Sequence, residues 1–109
     1  MPLVCVNLGG EGEVTGVIKQ PPFALQPSWR SQTGKTVAEL RADGHLIVIC
    51  DNTRLSFADG SVDEVITKNV PVDMNHPFYG PGVQSSEIKR ILKAGGIWTW
   101  DGKVHYVKP

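Results

Sequence analysis

At 109 residues the chain has room for one domain and one core, but not for a core plus a separate substrate domain. Lysine plus arginine equals aspartate plus glutamate at 11 each, so no coat of positive charge is available to drive nucleic-acid binding, although a local contact to RNA or DNA stays open. The longest apolar runs fall far below the ~20 residues that cross a bilayer, so no membrane span is expected, and no signal-peptide pattern is visible.

In chain order, "LVCVNLGG" begins as a Val-rich run, the pattern of a strand buried on both faces. It ends in Gly9, Gly10 and Gly12, interleaved with Glu11 and Glu13. "EVTGVIKQ" reads as a second short strand. "PPFALQPSWRSQTG" carries three prolines and reads as loop, with Phe23, Leu25 and Trp29 expected against the core like a lid. "TGKTVAELRADG" predicts a short helix with Thr33 as its N-cap, Val37 and Leu40 on one face, and Gly44 as its stop. "HLIVIC" is a nearly unbroken apolar strand ended by Asp51 and Asn52, and "ADGS" is a turn.

"VDEVITKNVPV" predicts a strand ended by Pro71, with Asp59 and Asp63 assigned to turns. "DMNHPFYGPGVQ" is a loop. "SSEIKRILKAGG" predicts the clearest helix: Ser85 or Ser86 caps it, Ile88, Ile91 and Leu92 form an apolar stripe, and Gly95 closes it. "IWTWDGKVHYVKP" predicts a hairpin turning at Asp101-Gly102. Apolar strands alternating with helices imply an α/β fold with a mainly parallel sheet.

Cys5 and Cys50 stand inside strand-like runs without a CxxC spacing, and both read as small buried apolar residues. His45, His76 and His105 belong to no metal-ligand cluster, so no metal is expected. "SQTGKT" has the end of a phosphate-binding loop, but Trp29 occupies the place of its first glycine. Glycines after the first strand let a backbone approach a ligand; Glu11 and Glu13 make that turn a poor cradle for phosphate. Asp51 falls where open α/β sheets bind ligands, against the alternative that Asp-Asn caps its own turn. Asn69, Asp73, Asn75, His76 and Tyr79 gather polar groups after the fourth strand. There His76 is a candidate general base and Asp73 its orienting partner, weighed against a solvated histidine. Trp98 and Trp100 share one face, and the core reading is preferred to base stacking.

Three of these segments carry a resemblance. Asp51 with "LSFADGSVDEVI" resembles the part of class I S-adenosylmethionine-dependent methyltransferases that runs from an adenine-binding Asp into the fourth strand. "EIKRILKAGG" is similar to the following helix, whose E-x-x-R-x-L-K-x-G-G run precedes the fifth strand, and "VNLGGEGEV" resembles a distorted form of the glycine-rich first turn. Where that family has a full helix after the glycine turn, only "EVTGVIKQPP" follows, and Gln20 stands in place of an acid for the ribose. The short form also resembles C-terminal domains of bacterial polymorphic toxins of the Rhs and contact-dependent types.

The resemblance implies a compact Rossmann-like domain over residues 1–109, few helices, a C-terminal antiparallel hairpin, and a methyltransferase-like effector function. It implies S-adenosylmethionine or another adenine-bearing ligand held by Gly9, Gly10, Gly12, Asp51 and Asn52, with Asn69, Asp73 and His76 as catalytic groups. The target would be a nucleotide, RNA or protein, and an immunity protein would be a partner. Action would be in the cytoplasm, with delivery as part of a larger secreted bacterial protein. The alternative is a degenerate, ligand-free domain that acts through protein–protein contact.

Overall fold

Short runs of branched apolar residues set the sheet, because such side chains fit a pleated surface buried on both faces. In the computed structural model, which describes residues 4–9, 16–68, 70–77 and 80–109, these runs form β1 (Cys5–Leu8), β2 (Val17–Gln20), β3 (Leu46–Ile49) and β4 (Val62–Thr67). Two-residue strands β5 (Asn75–His76) and β6 (Gly80–Pro81) pair with each other, and β7 (Leu92–Trp100) folds back into β8 (Lys103–Val107). The helices are α1 (Val37–Ala42) and α2 (Ser85–Ile91), with a short 3₁₀ turn at Pro22–Leu25.

The main sheet has the order β3-β2-β1-β4-β7-β8. All neighbours are parallel except β7 and β8, which form the expected antiparallel hairpin. The fold is α/β, mainly parallel and Rossmann-like. The direction of strand progression reverses at β1, which pairs with β2 on one side and β4 on the other. That reversal opens a crevice at the carboxyl ends of these strands, the place where open α/β sheets receive ligands.

One face of the sheet carries the densest packing. Val6, Leu8, Val65 and Trp98 meet Ile88 and Ile91 of α2, all essentially excluded from water. Trp98 donates its indole N–H to Thr67 Oγ1 at 3.0 Å and stacks on Trp100 at 5.6 Å between ring centroids. Trp98 is therefore core, and Trp100, on the same face, is half-buried against it. Among the described residues no helix is long and apolar enough to cross a membrane.

Several boundaries differ from the sequence expectation, each for a local reason. Thr36, not Thr33, caps α1: its hydroxyl accepts from the Glu39 N–H at 3.1 Å while Glu39 Oε1 accepts from the Thr36 N–H, a reciprocal capping box. Gln84 precedes α2, and the helix ends at Ile91 rather than Gly95, because Leu92 already pairs with Val62 of β4. β4 stops at Thr67, before Pro71. Asp63 lies within β4, where it accepts from the Val4 N–H and pairs with Lys93. In the proline-rich segment Ala24 is the buried residue, while Leu25 is 61% exposed. Cys5 and Cys50 are free thiols, only half-buried, with burial and nearby Glu64 pushing the Cys5 thiol up.

Candidate functional site

The connections that leave β1, β2, β3 and β4 meet around a cavity of about 170 Å³ at the switch point. Gly9 follows β1, Lys19 and Gln20 end β2, Asn52 follows β3, and Val70 and Pro71 follow β4. Phe23 and the segment from Gly80 to Val83 close the sides, with His76 on the same wall. A second, outer cavity of about 450 Å³ shares Gly9, Gln20 and Phe23, and extends along Gln26–Gln32 past Trp29 and Arg30. The shared residues join the two as a cleft whose inner part is mainly apolar and whose outer part is mixed.

Backbone geometry holds this opening. Gly9 adopts φ +80°, a left-handed value that favours glycine, and a Cβ there would meet Val70 Cγ2 at 3.0 Å. A Cβ on Gly82 would lie 2.6 Å from the Pro71 carbonyl oxygen and 2.8 Å from that of Met74, so only glycine lets this segment pack so closely. Asn52 ties the wall to β3 by donating from Nδ2 to the Pro81 carbonyl at 2.9 Å.

Lys19 is the unexpected member. It is 1% exposed, flanked in the sheet by Leu8 and Val48, and its Nζ donates to Asn52 Oδ1. That is the one hydrogen bond of its side chain among the described residues. Burial pushes its amine down to about 8 from an ordinary 10.5, and the nearby Cys50 and Asp51 pull it only part of the way back. Gln20 beside it is 5% exposed, lines both cavities, and its carboxamide has no hydrogen-bond partner among the described residues. From sequence, Gln20 stands out only as the residue in place of a ribose acid, and Lys19 not at all. "VIKQ" looks like half a solvated strand, and the available signal was that a strand sandwiched between two apolar ones should not end in Lys-Gln unless those groups have work there.

The anticipated residues divide. Gly9, Asn52 and His76 line the cavity together. Asp51 is exposed, and its Oδ1 accepts from the Thr53 N–H at 2.8 Å and the Thr53 hydroxyl at 2.7 Å. These bonds hold its carboxyl below the usual range. Asp73, at φ +56°, accepts from the Ser85 hydroxyl at 2.6 Å and the Ser85 N–H at 2.8 Å; it caps α2 from across the loop, and the same two bonds lower its carboxyl. Gly10, Gly12, Asn69 and Tyr79 lie outside the described residues. Among the described residues no group of three or more His, Cys, Asp or Glu is placed to hold a metal.

The E-x-x-R run has a clear structural purpose. Arg90 donates to both Glu87 oxygens, to Asp59, and to the carbonyls of Leu55 and Phe57, while Glu87 also accepts from the Leu55 N–H. The pair staples the β3–β4 connection onto α2, which fixes where the Asp51–Asn52 end of that connection emerges.

Fold and cleft together define the class: a small Rossmann-like α/β domain with a ligand-sized opening at its switch point. Compared with known proteins, the chain matches no family model and no curated protein.

Proposed function

We propose that this protein is a methyltransferase-like effector domain that holds an adenine-bearing ligand in the cleft at the carboxyl ends of β1 to β4. One observation carries the reading: Gly9, Gln20, Asn52 and Val70, from four separate connections, line a single cavity at the topological switch point. Phe23 and Val83 offer apolar surface for a planar base, and the amides of Gln20 and Asn52 offer donors and acceptors for its edge or for ribose. In this reading the target, a nucleotide, RNA or protein, approaches along residues 69–79, where His76 serves as the base. An immunity protein would then cover the same mouth, and action would be cytoplasmic.

The test is calorimetric titration with S-adenosylmethionine, NAD and 5′-AMP. Saturable heat with at least one ligand, weakened at least fivefold in Gln20→Ala while thermal melts show the variant folded, supports the reading. No heat with any of the three removes it. One observation favours the second reading, a ligand-free domain acting through a protein partner: Asp51, the expected adenine acceptor, is absent from the cavity lining and bonded through Oδ1 to Thr53.

A further inference from the structure

Among the described residues, little balances the one fully charged side chain that lines the inner cavity. Among the described residues lining the two cavities, the only fully charged side chains are Lys19 and Arg30, and no carboxylate joins them. An ammonium carries three donors, yet among the described residues Lys19 Nζ meets one neutral acceptor. Taking an ammonium out of water costs several kcal/mol unless an anion or several acceptors restore what hydration supplied (roughly, for any such group). Asp51, whose charge acts on Lys19, is exposed and bonded through Oδ1 to its own turn. Arg30, in the outer cavity, donates to the carbonyls of Pro27 and Trp29 and keeps its charge at the mouth.

Resting on the adenine reading above, we propose that the ligand is an anionic adenine nucleotide whose phosphate is received by Lys19 Nζ in the inner cavity. Phosphate supplies the acceptors that the ammonium lacks, in a setting of low dielectric where a charge-assisted hydrogen bond is strong. The carboxamide of Gln20, which lines both cavities, is available beside it to accept from or donate to the ribose or phosphate. The phosphate thus binds at the end of β2. A sulfonium cofactor is disfavoured by the same arithmetic, because its positive centre would enter a cleft whose described lining already holds two cations and no carboxylate. The depressed amine of Lys19 agrees with a site left undercompensated until an anion arrives.

The experiment compares adenosine, 5′-AMP, 2′-AMP and S-adenosylmethionine by calorimetry at pH 7 on the intact chain, with Lys19→Met beside it. The expected result is that at least one nucleotide binds ten times or more tighter than adenosine and tighter than S-adenosylmethionine, and that Lys19→Met erases the difference. The two nucleotides distinguish a 5′- from a 2′-phosphate. A pH series on the parent protein serves even if Lys19→Met fails to fold: the nucleotide advantage should fall about tenfold per pH unit above about 8, as the amine loses its proton. Equal affinity for adenosine and both nucleotides, or tighter binding of S-adenosylmethionine, overturns the phosphate assignment and leaves the adenine reading standing. If no adenine compound binds, the adenine reading itself falls. Pyrophosphate alone then decides the anion site: binding lost in Lys19→Met supports it, and no binding ends it.

Discussion

Two cations mark two regions of this molecule, and their surroundings differ in kind. Arg90, in the clamp between α2 and the β3–β4 connection, spends its guanidinium on two carboxylates and two backbone carbonyls. Those bonds, Glu87 first, raise its pKa above the ordinary range. Lys19, in the cleft, spends its ammonium among the described residues on one amide oxygen, and burial lowers its pKa to about 8. A cation whose acceptors are all supplied by the fold is there to hold the fold. One left short of acceptors beside an open cavity weakens the fold and is better explained by what enters the cavity.

The largest effect expected from this contrast is at the clamp. Arg90→Ala strands a largely buried Glu87 carboxylate and two carbonyls, and should cost about 2–4 kcal/mol in urea unfolding. A loss near zero would mean that the connection holds itself in place and that the clamp is ornamental.

Lys19→Met should show the opposite sign. Removing the undercompensated charge should leave the ligand-free protein at least as stable at pH 7, by up to about 1 kcal/mol. The pH dependence has a definite direction. Between about 8 and 10.5 the unfolded chain binds more protons at Lys19 than the folded one, so the contribution of this residue to stability rises with pH through that window. Thermal melts of parent and variant should therefore converge as pH approaches 10.5. Parallel curves would show that Lys19 is not strained by its burial.

The smallest effect belongs to the clamp's outermost member. Asp59 is 80% exposed at its side chain, so Asp59→Asn should cost about 0.5 kcal/mol or less, and salt should reduce even that. A larger loss would move the weight of the clamp from Glu87 to the turn.

The strands and the hairpin were legible because apolar runs and an Asp-Gly turn are local signals. The capping box of α1 was also written in the chain, as Thr36 followed three residues later by Glu39, but Thr33 stood in front of it. The end of α2 was not legible: "ILKAGG" continues a helical pattern, and only pairing of Leu92 with Val62, thirty residues away, turns the chain into strand. The cleft was half legible. Gly9 and Asn52 follow strands, which sequence can locate, whereas the burial of Lys19 depends on β1 and β3 closing on β2 from both sides and on Phe23 folding beside the opening. Asp51 and Asp73 show the converse: acids at strand ends invite a ligand role, yet each is hydrogen-bonded to a nearby Thr53 or a distant Ser85.

The most direct measurement is an NMR titration of the Lys19 side chain, read at its Cε and Nζ resonances with and without 5′-AMP. The account predicts a midpoint near 8 in the free protein, moving upward when the nucleotide is added. A midpoint near 10.5 that ignores the nucleotide would place the ammonium in water and contradict the claim that the cleft holds a cation waiting for an anion.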